Sequence, residues 1–124
     1  EEGGIAYGDV LEHVNFDYAA KLTAVNAISL ASLAWAPTPP ETVALGGAVA
    51  PAATFSWDAV PGAVGYKIYW RDTTSPTWDM SRNVGNVTSF TLNGMVVDNY
   101  FFGVSAVGQN GQESVVKFPN KIQR

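Results

Sequence analysis

The sequence predicts a mainly β protein, an antiparallel sandwich of about seven short strands preceded by one α-helix. Three observations carry this reading. Tyr66-Lys67-Ile68-Tyr69-Trp70-Arg71 and the stretch from Tyr100 to Ala106 alternate with period two, the side-chain period of a half-buried strand. Short β-prone runs are separated by the turn signals Pro61-Gly62, Asn93-Gly94 and Asn110-Gly111. Ahead of them, residues 16–35 are rich in Ala and Leu, and Pro37, Pro39 and Pro40 then close the segment.

The helix is expected from Phe16 to Trp35. Asn15 is suited to cap it, and Asp17 in the first turn faces the positive end of the helix dipole. Between Tyr18 and Pro40 the sole charged residue is Lys21, so apolar groups reach most of the circumference. A helix of that kind is normally buried in a larger domain or against a partner chain. Lys21, Thr23, Asn26, Ser29 and Ser32 interrupt it too often for a membrane span, and none is expected.

Pro37-Thr38-Pro39-Pro40 is expected to be a stiff linker, dividing an N-terminal segment (1–36) from the sandwich (41–124). Val43-Ala44-Leu45 and Ala53 to Trp57 are the first two strands. Tyr66 to Arg71 is the third, with Tyr66, Ile68 and Trp70 inward and Lys67, Tyr69 and Arg71 outward. Val87 to Leu92, Tyr100 to Ala106 and Ser114 to Phe118 complete the strands, and residues 73–82 are taken as a connection.

Of 124 residues, 47% are hydrophobic and 15% charged, which suits one globular core and not a disordered chain. The formal charge of −4 comes wholly from the N-terminal part, where Glu1, Glu2, Asp9, Glu12 and Asp17 face Lys21 alone. Residues 41–124 balance to zero. They offer no cationic footprint for phosphate backbones, so nucleic acid is not an expected partner. Without cysteine there are no disulfides, thiolate nucleophiles or thiolate zinc sites. Glu1-Glu2-Gly3-Gly4 has no signal-peptide pattern and reads as a processed or interior start.

Trp57, Tyr66, Ile68, Trp70, Leu92, Tyr100, Phe102 and Val104 together resemble the core signature of the fibronectin type III domain over roughly Pro40 to Asn120. In that resemblance Trp57 is the core tryptophan. Leu92 and Tyr100 form the tyrosine corner, whose phenol bonds to nearby backbone. Such a fold is usually a binding or spacing module, and the fold alone does not state a function.

A second resemblance covers Asp9 to Leu22, Val25-Asn26 and Ser29 to Ala34, which look like the last helix of di-zinc aminopeptidases of family twenty-eight. Some exported bacterial members carry a C-terminal domain after it. In the family a His-Thr-Pro-x-Asp-Thr motif precedes this helix and supplies the final zinc ligand. Laid on this sequence, its His falls on Ile5, its Pro on Tyr7 and its Asp on Asp9, so no metal ligand carries over. The resemblance implies a secreted or periplasmic parent enzyme that holds zinc elsewhere, and no cofactor in this chain.

His13 is the lone histidine, with Glu12 beside it. One histidine without converging ligands, base or pocket is expected to be an exposed residue at a helix start. No serine has a histidine pair to activate it, so the chain by itself is expected to be non-catalytic. Among the tryptophans, Trp78 alone is expected near the outward face. Tyr69, Arg71 and Trp78 are therefore the candidate binding surface for a protein or peptide, against simple packing over a sheet edge. Asn86-Val87-Thr88 has the form of a glycosylation acceptor. It runs into the strand expected at Val87, and a bacterial parent would not use it.

The reading that joins these points is a C-terminal accessory module of an exported zinc aminopeptidase, aiding substrate capture, surface attachment or domain packing. The competing reading is a stand-alone fibronectin type III adhesion module unrelated to a peptidase. In that case the helix is expected to fold onto its own sandwich or to pair between chains, whereas a helix detached from its parent domain favours self-association, with a homodimer through it as one expected outcome.

Overall fold

The computed structural model describes residue 8 and residues 10–47 and 51–122. The motif positions Ile5, Tyr7 and Asp9 lie outside the described residues. The chain divides into two compact units, Glu1–Ala34 and Trp35–Arg124.

In the first unit a short 3-10 turn, Leu11–His13, precedes helix α1, Phe16–Trp35. The Asn15 side chain caps it as expected: Oδ1 accepts the Tyr18 backbone N–H at 3.0 Å. None of the α1 residues is buried, and Phe16, Tyr18, Ile28, Leu30 and Leu33 each expose more than half of their surface. His13 and Glu12 are exposed. Among the described residues no helix is long and apolar enough to cross a membrane.

The second unit is the sandwich. Its strands are β1 (Val43–Gly46), β2 (Ala52–Trp57), β3 (Gly65–Asp72), β4 (Met80–Gly85), β5 (Ser89–Asn93), β6 (Tyr100–Val107) and β7 (Lys121–Ile122). One sheet has the order β5-β2-β1-β7 and the other β4-β3-β6. The strand pairs are antiparallel except β1 with β7. Inward alternation brings Val43, Ala53, Phe55, Trp57, Tyr66, Ile68, Leu92, Phe102, Val104 and Ala106 into one core. Aromatic pairs bolt the sheets together, with Phe55 and Phe102 at 5.3 Å and Trp57 and Tyr66 at 5.4 Å between ring centroids. Pro40 is fully buried, so the proline-rich stretch ends inside this unit's packing.

Four expectations are corrected. Residues 80–85, of which 80–82 are expected to be connection and 83–85 are given no element, form β4; among the described residues it pairs with β3 alone, and only Met80 and Val84 are half-buried, so no period-two apolar pattern marks it. The strand expected from Val87 starts at Ser89. Gly85 ends β4 with φ of 72°, a conformation glycine tolerates, and residues 86–88 carry the chain from one sheet to the other.

Ser114 to Phe118 is not a continuous strand but two bridges, Val107 with Glu113 and Val104 with Lys117. The register slips by one residue between them. Ser114 Oγ takes the Ala106 N–H at 2.9 Å, where a ladder would use a carbonyl. Finally, the buried phenol–backbone bond is made by Tyr66, whose oxygen accepts the Val60 N–H at 2.7 Å. Tyr100 is half-buried at the start of β6, and its hydroxyl makes no hydrogen bond among the described residues.

Candidate functional site

The outer face of the β4-β3-β6 sheet gathers the candidate residues. Antiparallel register sets Lys67 opposite Ser105, Tyr69 opposite Gly103 and Arg71 opposite Phe101. Because Gly103 has no side chain, the sheet has a notch there. A Cβ at this position would lie 3.3 Å from Trp78 Cη2 and 2.3 Å from Val116 Cγ1, so Trp78 and Val116 cover the notch.

Trp78 reaches the notch from the 72–79 loop, which is held by its own polar groups. The Ser75 N–H donates to Asp72 O at 3.0 Å, and the Ser75 and Thr77 hydroxyls both donate to the Asp79 carboxylate. Those two hydroxyls hold the Asp79 carboxyl below its ordinary range.

Around Trp78 the rings of Tyr69 and Phe118 lie at 6.0 and 5.2 Å. The Arg71 guanidinium sits over both Trp78, at 5.6 Å, and Phe101, at 4.8 Å. The three expected residues are thus brought together, and Phe101 and Phe118 join them. Phe101 is 43% and Phe118 48% exposed, so these two present the open aromatic surface, while Tyr69, Arg71 and Trp78 are half-buried. The alternation of β6 placed Phe101 on the outer face in principle. Phe118 carried no such signal, since its segment is irregular.

A polar flank borders the rings. Glu113 accepts from Lys67 Nζ at 3.1 Å, from the Tyr69 hydroxyl, and from Ser105 Oγ at 3.3 Å. Burial pushes the Glu113 carboxyl up, but the bonds from Tyr69, Lys67 and Ser105 outweigh it and hold the group below its ordinary range. Burial, followed by the bond to ionised Glu113, raises the Tyr69 phenol. Lys67 Nζ also lies 4.9 Å from the centre of the Tyr69 ring. The charges of Lys67 and Glu113 therefore satisfy each other, and Arg71 is the cation directed at the aromatic surface.

This arrangement offers open apolar surface with one cation beside it, and among the described residues it contains no nucleophile paired with a base. Two further grooves of about 430 and 440 Å3 are lined by Trp35, Pro37, Gly62 and Gln112, and by Leu45, Asp98, Asn120 and Ile122, without histidine or paired carboxylates. Among the described residues no three His, Asp or Glu side chains converge to hold a metal, so these residues do not fit a zinc site.

No family model matches the sequence. It is similar to a protein of Pyrenophora tritici-repentis named "Probable zinc metalloprotease", 37% identical over 123 residues, covering 94% of this chain and 28% of that protein. A protein of the same name from Pyricularia oryzae is 35% identical over 94% of this chain and 24% of its own length. The chain thus spans about a quarter of the length of these relatives, and the matched part takes in both α1 and the sandwich. The relatives are fungal, which does not support the bacterial expectation, and their names do not narrow the activity to an aminopeptidase.

Among solved structures, a Fn3-like protein from Clostridium thermocellum superposes with TM-score 0.52 at 26% identity, over 71% of this chain and 93% of that one. The fn3 domain of human collagen alpha-1(XX) superposes with TM-score 0.51 at 19% identity, over 72% and 89%. The sandwich has the fibronectin type III fold, a non-catalytic type of module, carried behind an α-helix on a chain related to part of longer proteins named "Probable zinc metalloprotease".

Proposed function

We propose that this chain is the C-terminal accessory module of an exported zinc metalloprotease, and that α1 packs against the catalytic domain encoded before it. The observation that carries the reading is α1 itself: twenty residues, apolar around the circumference and none buried. Exposed apolar area costs about 25 cal/mol per Å2, so such a helix is stable in water only when something covers it. The relatives match helix and sandwich together as a quarter of a longer protein, which supports another part of that protein as the cover in preference to a second copy of this chain. The resemblance of residues 9–34 to the last helix of di-zinc aminopeptidases supports aminopeptidase activity in that parent. The surface around Arg71, Trp78, Phe101 and Phe118 is then the face offered to a peptide or protein partner.

The test is a pair of substitutions, Leu22→Asp and Ile28→Asp, made in this chain and in the longer protein from its gene. The sandwich of the isolated chain should melt unchanged, while the longer protein should lose soluble yield and peptidase activity. An unaffected longer protein, or a destabilised sandwich, would overturn the reading. Light scattering on this chain and on residues 37–124 separates a second copy as the cover, since only that case gives a stoichiometric dimer that disappears with the helix.

A further inference from the structure

We propose that Asn86 is an N-glycosylation site, and that its glycan covers the two free sheet edges that meet there. Asn86-Val87-Thr88 is the only Asn-x-Ser/Thr tripeptide in the sequence, and its middle residue is not proline. Two features speak for its use. The tripeptide does not lie within a strand: β4 ends at Gly85 and β5 begins at Ser89, so all three residues occupy an exposed crossing between the sheets. Val87 itself is 39% exposed. The crossing is held by backbone, with the Trp57 N–H donating to Thr88 O at 2.9 Å, and no hydrogen bond among the described residues engages the Asn86 amide. The relatives are also fungal, so their cells modify exported proteins at such tripeptides. The inference rests on the export assumed above and on nothing else in that reading.

The donor is a lipid-pyrophosphate-linked oligosaccharide. The Asn86 Nδ2 forms a bond to C1 of the first sugar as the C1–O bond to pyrophosphate breaks. The lipid pyrophosphate leaves with the bonding pair, and Nδ2 gives one proton to a basic group of the transferring enzyme. Folding then leaves room for the product, because the amide already faces solvent.

Position suggests what the glycan does. Among the described residues β4 pairs only with β3, and β5 only with β2, so both present unpaired backbone at the side where Asn86 joins them. Unpaired edges template pairing with other chains, and a bulky hydrophilic group at the junction blocks that approach. The candidate peptide face is spared. Tyr69 pairs with Ser81, five residues before Asn86, which is roughly 17 Å along an extended strand.

The chain should be expressed behind a cleavable secretory leader in yeast, and its mobility compared before and after peptide:N-glycosidase treatment. A shift that Asn86→Gln and Thr88→Ala both abolish and Thr88→Ser retains, with Asp found at position 86 by mass spectrometry after treatment, is the expected result. Secreted, protease-resistant wild-type chain with unmodified Asn86 would overturn the site. If the glycan shields the edges, Asn86→Gln should aggregate faster on warming than the glycosylated chain; equal rates would overturn that part. Failure of α1 to dock on an upstream domain would leave the site assignment unmoved, because the mobility shift does not involve α1, and the aggregation comparison carries the same exposed α1 in both chains.

Discussion

Replacing Tyr66 by Phe removes one oxygen from a ring that is only 2% exposed. That oxygen accepts the Val60 N–H at 2.7 Å, and Val60 is itself 8% exposed. The ring stays in place against Trp57, so packing is kept and the loss is that of a hydrogen-bond acceptor to a buried donor. Leaving such a donor unpaired costs about 1–3 kcal/mol, more than the net worth of an ordinary hydrogen bond. Water is poorly placed to replace the phenol, because Tyr66 and Val60 are both buried in the core.

A central value of about 2 kcal/mol corresponds to roughly 8–16 °C in melting temperature for a domain of this size. Tyr100→Phe is the control: its ring is half-buried and its hydroxyl makes no hydrogen bond among the described residues, so it should change stability by less than about 0.5 kcal/mol. Urea denaturation of residues 37–124, followed by tryptophan emission, measures both. If Tyr100→Phe cost as much as Tyr66→Phe, the corner assigned to Tyr100 by resemblance would be right and the argument from the Val60 bond wrong.

Further outcomes are expected on the outer face. Gly103→Ala drives a Cβ to 2.3 Å from Val116 Cγ1 and 3.3 Å from Trp78 Cη2, so it should cost about 1–3 kcal/mol and shift Trp78 emission; an unchanged melt would show the cover to be mobile. Glu113 has a folded pKa below its ordinary value of 4.5, so its stabilisation is present above that value and is lost as pH falls through the lower folded one. Glu113→Gln should therefore flatten this acid-range slope and cost less than about 1 kcal/mol at neutral pH, which denaturation from pH 7 down to acid would measure; an unaltered slope would assign it to other groups. Trp78→Ala should leave the melt of the core within about 1 kcal/mol, as urea denaturation would measure, and a large loss of stability would make the tryptophan part of the core.

How much was legible in the sequence follows from the range of each signal. Helix α1, its Asn15 cap and strands β1, β2, β3 and β6 were readable because side-chain period and capping act within a few residues. Val84 and Met80 gave too little alternation to reveal β4, since an edge strand buries few side chains. Tyr69, Arg71 and Trp78 could be named as an outward group from the alternation of β3 and the polarity of the following loop. Phe118 and Glu113 could not, for Tyr69 and Glu113 are 44 residues apart and meet only through the register of β3 with β6.

The sequence by itself determined the class of fold, the absence of cysteine, the charge balance of residues 41–124, and a helix too apolar to stand free in water. Those properties are sums over composition and local periodicity. The tertiary structure alone decided that Tyr66 and not Tyr100 binds the backbone, that Ser114 interrupts the last ladder, and that Asn86 lies in the open between two edges. Each depends on which backbone groups are left unpaired once the sheets have packed, and that is settled only when distant strands meet.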